Sequence, residues 1–179
     1  MKQTMVIWCC TCQSDVNAYL RRLGKARVWQ CPKCPDSRVM THFRANTDKL
    51  KPLGTLGDDE MRKARNWIHN YLDPLYRHNL IRRQTLYDQM SIHFKREYHT
   101  AGLRSMEEAR FAFHLAREFG MALLRDRFHK AKADNDESLL EKVKACCDEL
   151  EKVNEKADRA TRLKRQKLQK QTKRRKRCL

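Results

Sequence analysis

Cys9 and Cys12 stand three positions apart, and Cys31 and Cys34 repeat that spacing after 18 intervening residues. Two C-x2-C pairs at that separation have the pattern of a zinc site. Thiolates three apart on a tight turn can reach one ion, and a hairpin between the turns brings the second pair in to complete a tetrahedron. Four cysteines leave no open coordination position, so the expected zinc is a single structural ion with no catalytic role. Cys10 leaves a C-x-C pair with Cys12 open as an alternative, although C-x2-C is the commoner knuckle. Gln13 and Pro35 follow the two knuckles where glycine is usual. His42, eight residues past Cys34, is either a substitute ligand or a surface histidine facing nucleic acid.

The second kind of chemistry is electrostatic. The chain carries a formal charge of +18, unevenly spread. Residues 1–57 carry +7, 58–130 carry +4, 131–158 carry −4, and 159–179 carry +11 with no acid among them. A block of that kind repels itself and attracts polyanions, which makes nucleic acid, DNA or RNA, the expected partner. Two groups of candidate contacts follow. Arg21, Arg22, Lys25 and Arg27 flank the turn of the hairpin between the knuckles, with Tyr19 and Trp29 as stacking surfaces beside them. Lys173, Arg174, Arg175, Lys176 and Arg177 form the densest part of the tail. No base-reading signature accompanies either group, so weak sequence preference is expected.

Catalysis is not expected. His93, Glu97, His99, Glu107, Glu108 and His114 form no metal-nuclease spacing, and neither a Gly-rich phosphate loop nor a nucleophile motif occurs. Met5-Val6-Ile7-Trp8 is shorter than a signal-peptide core, and no run approaches a membrane span. The expected location is the cytoplasm, where cysteines stay reduced and C-x2-C pairs point to metal before disulfide.

These residues need elements to hold them. Val16–Tyr19 and Ala26–Trp29 read as short strands around Gly24-Lys25. So small a hairpin has almost no core, so metal binding is expected to supply most of its stability. Residues 45–57 are rich in breakers. Asp58 or Asp59 caps a helix with Met61, Ala64, Trp67/Ile68 and Tyr71/Leu72 on one face, stopped at Asp73-Pro74. A second helix begins near Ile81, with Leu86, Met90 and Phe94 on its stripe. A third follows the capping box Ser105-Met106-Glu107-Glu108. Trp67, Phe94, Phe113 and Phe119 are the expected core. Leu139, Val143, Cys146, Leu150, Val153, Ala157 and Ala160 alternate spacings of four and three, a coiled-coil-like seam. It has two candidate partners: a second copy of the chain, giving a homodimer through residues 139–160, or the protein's own helices.

The expected fold is therefore mainly α with a small β zinc ribbon at the N-terminus. The divisions are a zinc ribbon over 1–45, a connector over 46–57, a helical domain over 58–132, a coiled-coil-like helix over 137–168 and a basic tail over 169–179. From the first knuckle through Phe119 the sequence resembles a zinc-finger-containing domain family of bacteriophages and bacteria. The resemblance rests on the two C-x2-C pairs, Trp29, the segment Pro52-Leu53-Gly54-Thr55-Leu56, Arg62 to His69, Asp73-Pro74-Leu75-Tyr76, and Arg82/Arg83 with Tyr87. It implies a phage or prophage origin, hence a host-cell cytoplasm, and carries no activity with it. Two functions fit: a nucleic-acid-binding accessory protein, or an adaptor that binds a host machine such as RNA polymerase, the ribosome or a defence complex.

Overall fold

A computed structural model describes residues 3–42 and 50–177; the side chains of His42, Lys164 and residues 167–177 lie outside that description. Five strands come first: β1 (Thr4–Cys9), β2 (Ser14–Leu23), β3 (Ala26–Gln30), β4 (Arg38–His42) and β5 (Lys51–Pro52). They pair in chain order as an antiparallel meander. Four helices follow: α1 (Asp59–Arg77), α2 (Arg83–Phe94), α3 (Met106–Ala133) and α4 (Glu137–Arg177). The chain is thus mainly helical with a small N-terminal sheet.

The hairpin is larger than its sequence suggests. The apolar run before the first knuckle becomes β1, with Ile7 opposite Val16 and Met5 opposite Ala18. These residues share one face with Trp29 and Val39, and together with Leu50 and Leu56 they bury a core of their own. The expectation of a nearly coreless ribbon is corrected accordingly. Residues 50–57 are not a free connector either. Leu56 exchanges backbone hydrogen bonds with Trp8 and Cys10 at 2.8 and 2.9 Å, and Gly57 exchanges them with Arg38. The segment therefore ties the edge strand β1 to the start of β4.

Helix α1 begins as expected, with the Asp58 carboxylate accepting from the Met61 amide. It does not stop at Asp73-Pro74, and that expectation is corrected. Pro74 costs the helix one backbone hydrogen bond, but Pro74 and Leu75 are fully buried, and the helix runs on to Arg77. The true stop is Asn79, left-handed at φ 57°. There Leu80 N–H donates to Leu75 and Asn79 N–H to Tyr76, the paired bonds of a Schellman motif with Asn in the glycine position. In α3 the Ser105 hydroxyl accepts from Glu108 N–H as the capping box predicts, but the Glu108 carboxylate accepts from Arg104 N–H and the Arg96 guanidinium.

The helical core is centred on aliphatic side chains: Ile68, Leu72, Leu75, Leu86, Met90 and Leu103, with Tyr98. Phe94, Phe113 and Phe119 lie at its margin, and Trp67 stays half-exposed outside it. The reason is the α1–α3 crossing. The buried residues of α3 include Ala109, Ala112, Ala116 and Gly120, side chains small enough to let α1 approach closely, so Phe113 packs to one side, edge-on to Tyr71 at 5.2 Å.

Asn135, at φ 51°, turns the chain back, and the Asp136 carboxylate caps α4 by accepting from Leu139 N–H. Val143, Cys146 and Leu150 are buried in the same core as α1 and α3. Arg77 and His78 pair with Glu149 at 2.7 and 3.0 Å, and the Tyr71 hydroxyl donates to Asn154. The seam is thus filled within the chain as far as Val153. Beyond it Ala157 is half-buried, and Ala160 and Leu163 are exposed on a helix that continues to Arg177.

Sheet and helices meet at a buried junction around Arg65. The Arg65 side chain, 8% exposed, rises from α1 and donates to the backbone oxygens of Thr55 (3.1 Å) and Leu103 (2.9 Å). Thr55 adds its own amide bond to Ala101 at 2.9 Å and a hydroxyl bond to Leu103 at 2.7 Å. Gly54 makes this possible, because a Cβ there would overlap the Ala101 carbonyl. Gly54→Ala should therefore lower stability by about 2 kcal/mol, the scale of overpacking a tight contact. The denaturation midpoint checks this. A midpoint equal to wild type would mean the segment can shift freely.

Candidate metal centre

The knuckle turns place the thiols at one end of the sheet core. Cys9 ends β1, Cys31 follows β3, and Cys12 and Cys34 sit on the turns after them. The first turn closes with Gln13 N–H donating to Cys9 at 2.8 Å, and Gln13 takes φ 54°, the conformation glycine usually supplies. Its side chain offsets the strain by donating to the Cys10 and Arg104 carbonyls. The second turn needs no left-handed residue. Ser37 N–H donates to Cys34 and Cys31 N–H to Ser37, both at 3.0 Å.

The Sγ atoms of Cys9, Cys12, Cys31 and Cys34 all lie within 4.8 Å of one another. Cys12 is 3.2 Å from Cys34 and 3.6 Å from Cys31. Tetrahedral zinc with bonds of about 2.3 Å holds its sulfurs about 3.8 Å apart, so the residues present fit the ion without a change of fold. Their acidities point the same way. Sharing a proton with Cys34 pushes the Cys12 thiol far up, and burial adds to it. Burial also raises Cys31, but the amides of Lys33 and Cys34 outweigh it and draw that thiol down. Four sulfurs this close cannot all ionise unless a cation neutralises them. The centre holds a structural zinc ion, with no position left for substrate.

Cys10 belongs to a different set. Its thiol donates to the Leu103 carbonyl at 3.4 Å, lies 3.3 Å from the Thr55 hydroxyl and accepts from Arg65 at 3.6 Å. Burial pushes it up, partly countered by Thr55 and Arg65. The geometry groups Cys9 with Cys12 and leaves Cys10 at the junction between sheet and helices. The side chain of His42 lies outside the described residues.

The expected basic contacts are distributed as follows. Arg21, Arg22, Lys25 and Arg27 are all exposed around the β2–β3 turn, with Arg22 directly opposite Arg27. Tyr19 is half-buried. Trp29 is not a stacking surface. It is 2% exposed and donates its indole N–H to Leu50 at 2.8 Å, so it is a core residue of the sheet. Lys173, Arg174, Arg175, Lys176 and Arg177 continue the α4 backbone; their side chains lie outside the described residues. Arg65 went unnoticed in the sequence, where one more arginine on a helix face carries no signal of burial. Among the described residues, no helix is long and apolar enough to cross a membrane.

No curated protein and no solved structure matches the chain. Residues 2–116 match the zinc-finger-containing domain family. That span takes in all four clustered cysteines, the Gly54–Arg65 junction, α1, α2 and the start of α3, and with it this chain belongs to the zinc-finger-containing domain family.

Proposed function

We propose that this protein is a non-enzymatic, phage-type accessory protein that binds nucleic acid with weak sequence preference in the host cytoplasm. The observation that carries the proposal is the hairpin tip. Four cations crowd one turn, and Arg22 faces Arg27 across the strands. Like charges opposite each other weaken a sheet. Among the described residues no carboxylate pairs with any of the four, and the hydrogen bond from Arg21 to Gln30 is to a neutral partner. Cations held together without a counter-ion suit a phosphate backbone, which offers one charge every few ångströms. The zinc centre lies at the base of the same strands. The basic end of α4 acts as a second, less specific anchor.

Changing Arg21, Arg22, Lys25 and Arg27 together to Ala should leave zinc content and fold intact, because all four are exposed. It should reduce the slope of log affinity against log salt by up to about 3 to 4 units on duplex DNA, at about 0.9 per phosphate contact. Fluorescence anisotropy over a salt series checks this. An unchanged slope and affinity would remove the hairpin from the interface.

A second function, an adaptor on a host protein, draws on one feature. An open groove of about 690 Å³ between α1, α3 and α4 is lined by Trp67, Met106, Phe113, Ala157 and Ala160. Heparin and salt sensitivity mark the nucleic-acid function, and co-purification of one defined host protein marks the adaptor.

A further inference from the structure

Away from both the zinc centre and the hairpin, three arginines meet where α1, α2 and α3 come together. Arg82 and Arg83 open α2, and Arg127 arrives from the second half of α3. With Tyr76 and Asn79 they line an open cleft of about 520 Å³. Nothing acidic lines it, and among the described residues none of the three arginines pairs with a carboxylate. The acid nearest in sequence to the turn is Asp73, which is already bonded to His69 at 3.1 Å. Glu149 is bonded to Arg77 and His78, Asp88 of α2 accepts from Gln84 at 2.8 Å, and Asp126, next to Arg127 in sequence, does not line the cleft.

Three details distinguish this cleft from a scatter of surface charge. The Nε of Arg127 is buried and has no hydrogen-bond partner, although an unmet buried donor costs about 1–3 kcal/mol. The Arg83 guanidinium lies 5.6 Å from the centre of the Tyr76 ring and 5.3 Å from that of Tyr87, so two aromatic faces hold it in place. Finally, α2 starts beside the cleft with Arg82 at its N-cap, no side-chain cap and no acid in its first turn, so nothing in the helix start neutralises the arginines or caps its first amides.

We infer that the cleft formed by Arg82, Arg83 and Arg127 binds a phosphate group. Guanidinium forks match phosphate oxygens two at a time, and an anion seated there would lie among three guanidinium groups and beside the uncapped end of α2. The phosphate chemistry follows from the cleft alone. Its source as the backbone of a nucleic acid rests on the function proposed above. In that case the cleft is a third contact, on the helical domain, and nucleic acid is gripped by both the sheet and the helices.

The test follows the Arg127 Nε–H resonance in 15N spectra of the full-length zinc-loaded protein, assigned by its loss in Arg127→Gln. The probes are inorganic phosphate, acetate, and a 16-base-pair duplex with 5′-hydroxyl ends. Saturable shifts with phosphate and duplex, and none with acetate, are the expected result. Arg82→Gln/Arg83→Gln/Arg127→Gln should then lower the duplex salt slope by about 0.9, one phosphate contact. Circular dichroism and zinc content should be unchanged. A shift with inorganic phosphate and none with duplex would keep the phosphate site and assign it to a free phosphorylated compound. No shift with either, or an equal shift with acetate, overturns the inference. The hairpin variant tests the nucleic-acid function separately, so the two can fail independently.

Discussion

Removing zinc should unfold the N-terminal sheet while leaving most of the helical signal in place. A structural zinc site contributes roughly 10–16 kcal/mol of apparent binding energy near neutral pH. A whole domain is commonly stable by only about 5–15 kcal/mol, so the core of Ile7, Val16, Ala18, Trp29, Val39 and Leu56 is not expected to hold β1–β5 together alone. The helical residues form a separate core, joined to the sheet through Cys10, Thr55 and Arg65. Their helices should therefore survive with a loosened α1 N-terminus. Purified protein should carry one zinc per chain by elemental analysis. Cys12→Ser or Cys34→Ser should lose it, speed amide exchange throughout β2 and β3 and promote aggregation. Cys10→Ser should keep the metal. Acid should mimic the cysteine variants, because protons compete with zinc for thiolates. Metal-free wild type with β2 and β3 amides still protected would show that the sheet core suffices, and would remove zinc from the folding of this domain.

Deleting residues 159–179 should have the largest effect on binding. The deletion removes eleven positive charges and no negative one. With about half of them engaged at once, roughly five units should disappear from the slope of log affinity against log salt on duplex DNA. Affinity near 50 mM salt should fall by orders of magnitude. Folding should not change, since α4 leaves the core after Val153 and the deleted part begins on its exposed side. The remaining binding should belong mainly to the hairpin, and adding the four alanine substitutions should remove most of it, leaving no more than the single phosphate contact of the Arg82, Arg83 and Arg127 cleft. Equal affinity with and without the tail would reject it as an anchor. Binding of a host protein that survives both the deletion and moderate salt would favour the adaptor.

How much of this was legible in the sequence follows from how local each feature is. The metal centre was readable because its determinants are two pairs of cysteines three residues apart, and zinc chemistry supplies the long-range constraint that joins them. The helix starts at Asp58 and Ser105 were readable because a cap is a bond between a side chain and an amide three residues on. The stop at Asp73-Pro74 failed because buried packing of Pro74 and Leu75 outweighs one lost backbone bond, a term set by what α3 places opposite them. Trp29 was misplaced for the same kind of reason. Strand alternation says which residues share its face, but only the pairing of β3 with β2 and β4, with Leu50 and Leu56 packed on the same cluster, makes that face the inside. The seam of α4 was visible as a 4/3 repeat, whereas the repeat does not specify what fills it; Asn135 and the surface of α1 and α3 decide that it packs within the chain. Gly54, Thr55 and Arg65 read in sequence as a short segment and a helix position ten residues away, and their function as the bolt between sheet and helices needs the Ala101 and Leu103 carbonyls. The cleft of Arg82, Arg83 and Arg127 is the extreme case. Two adjacent arginines and a third some 44 positions later form a site only because α3 runs back past the end of α1. Residue type and spacing determine chemistry that acts over a few bonds, and burial and charge convergence come from contacts that sequence distance does not encode.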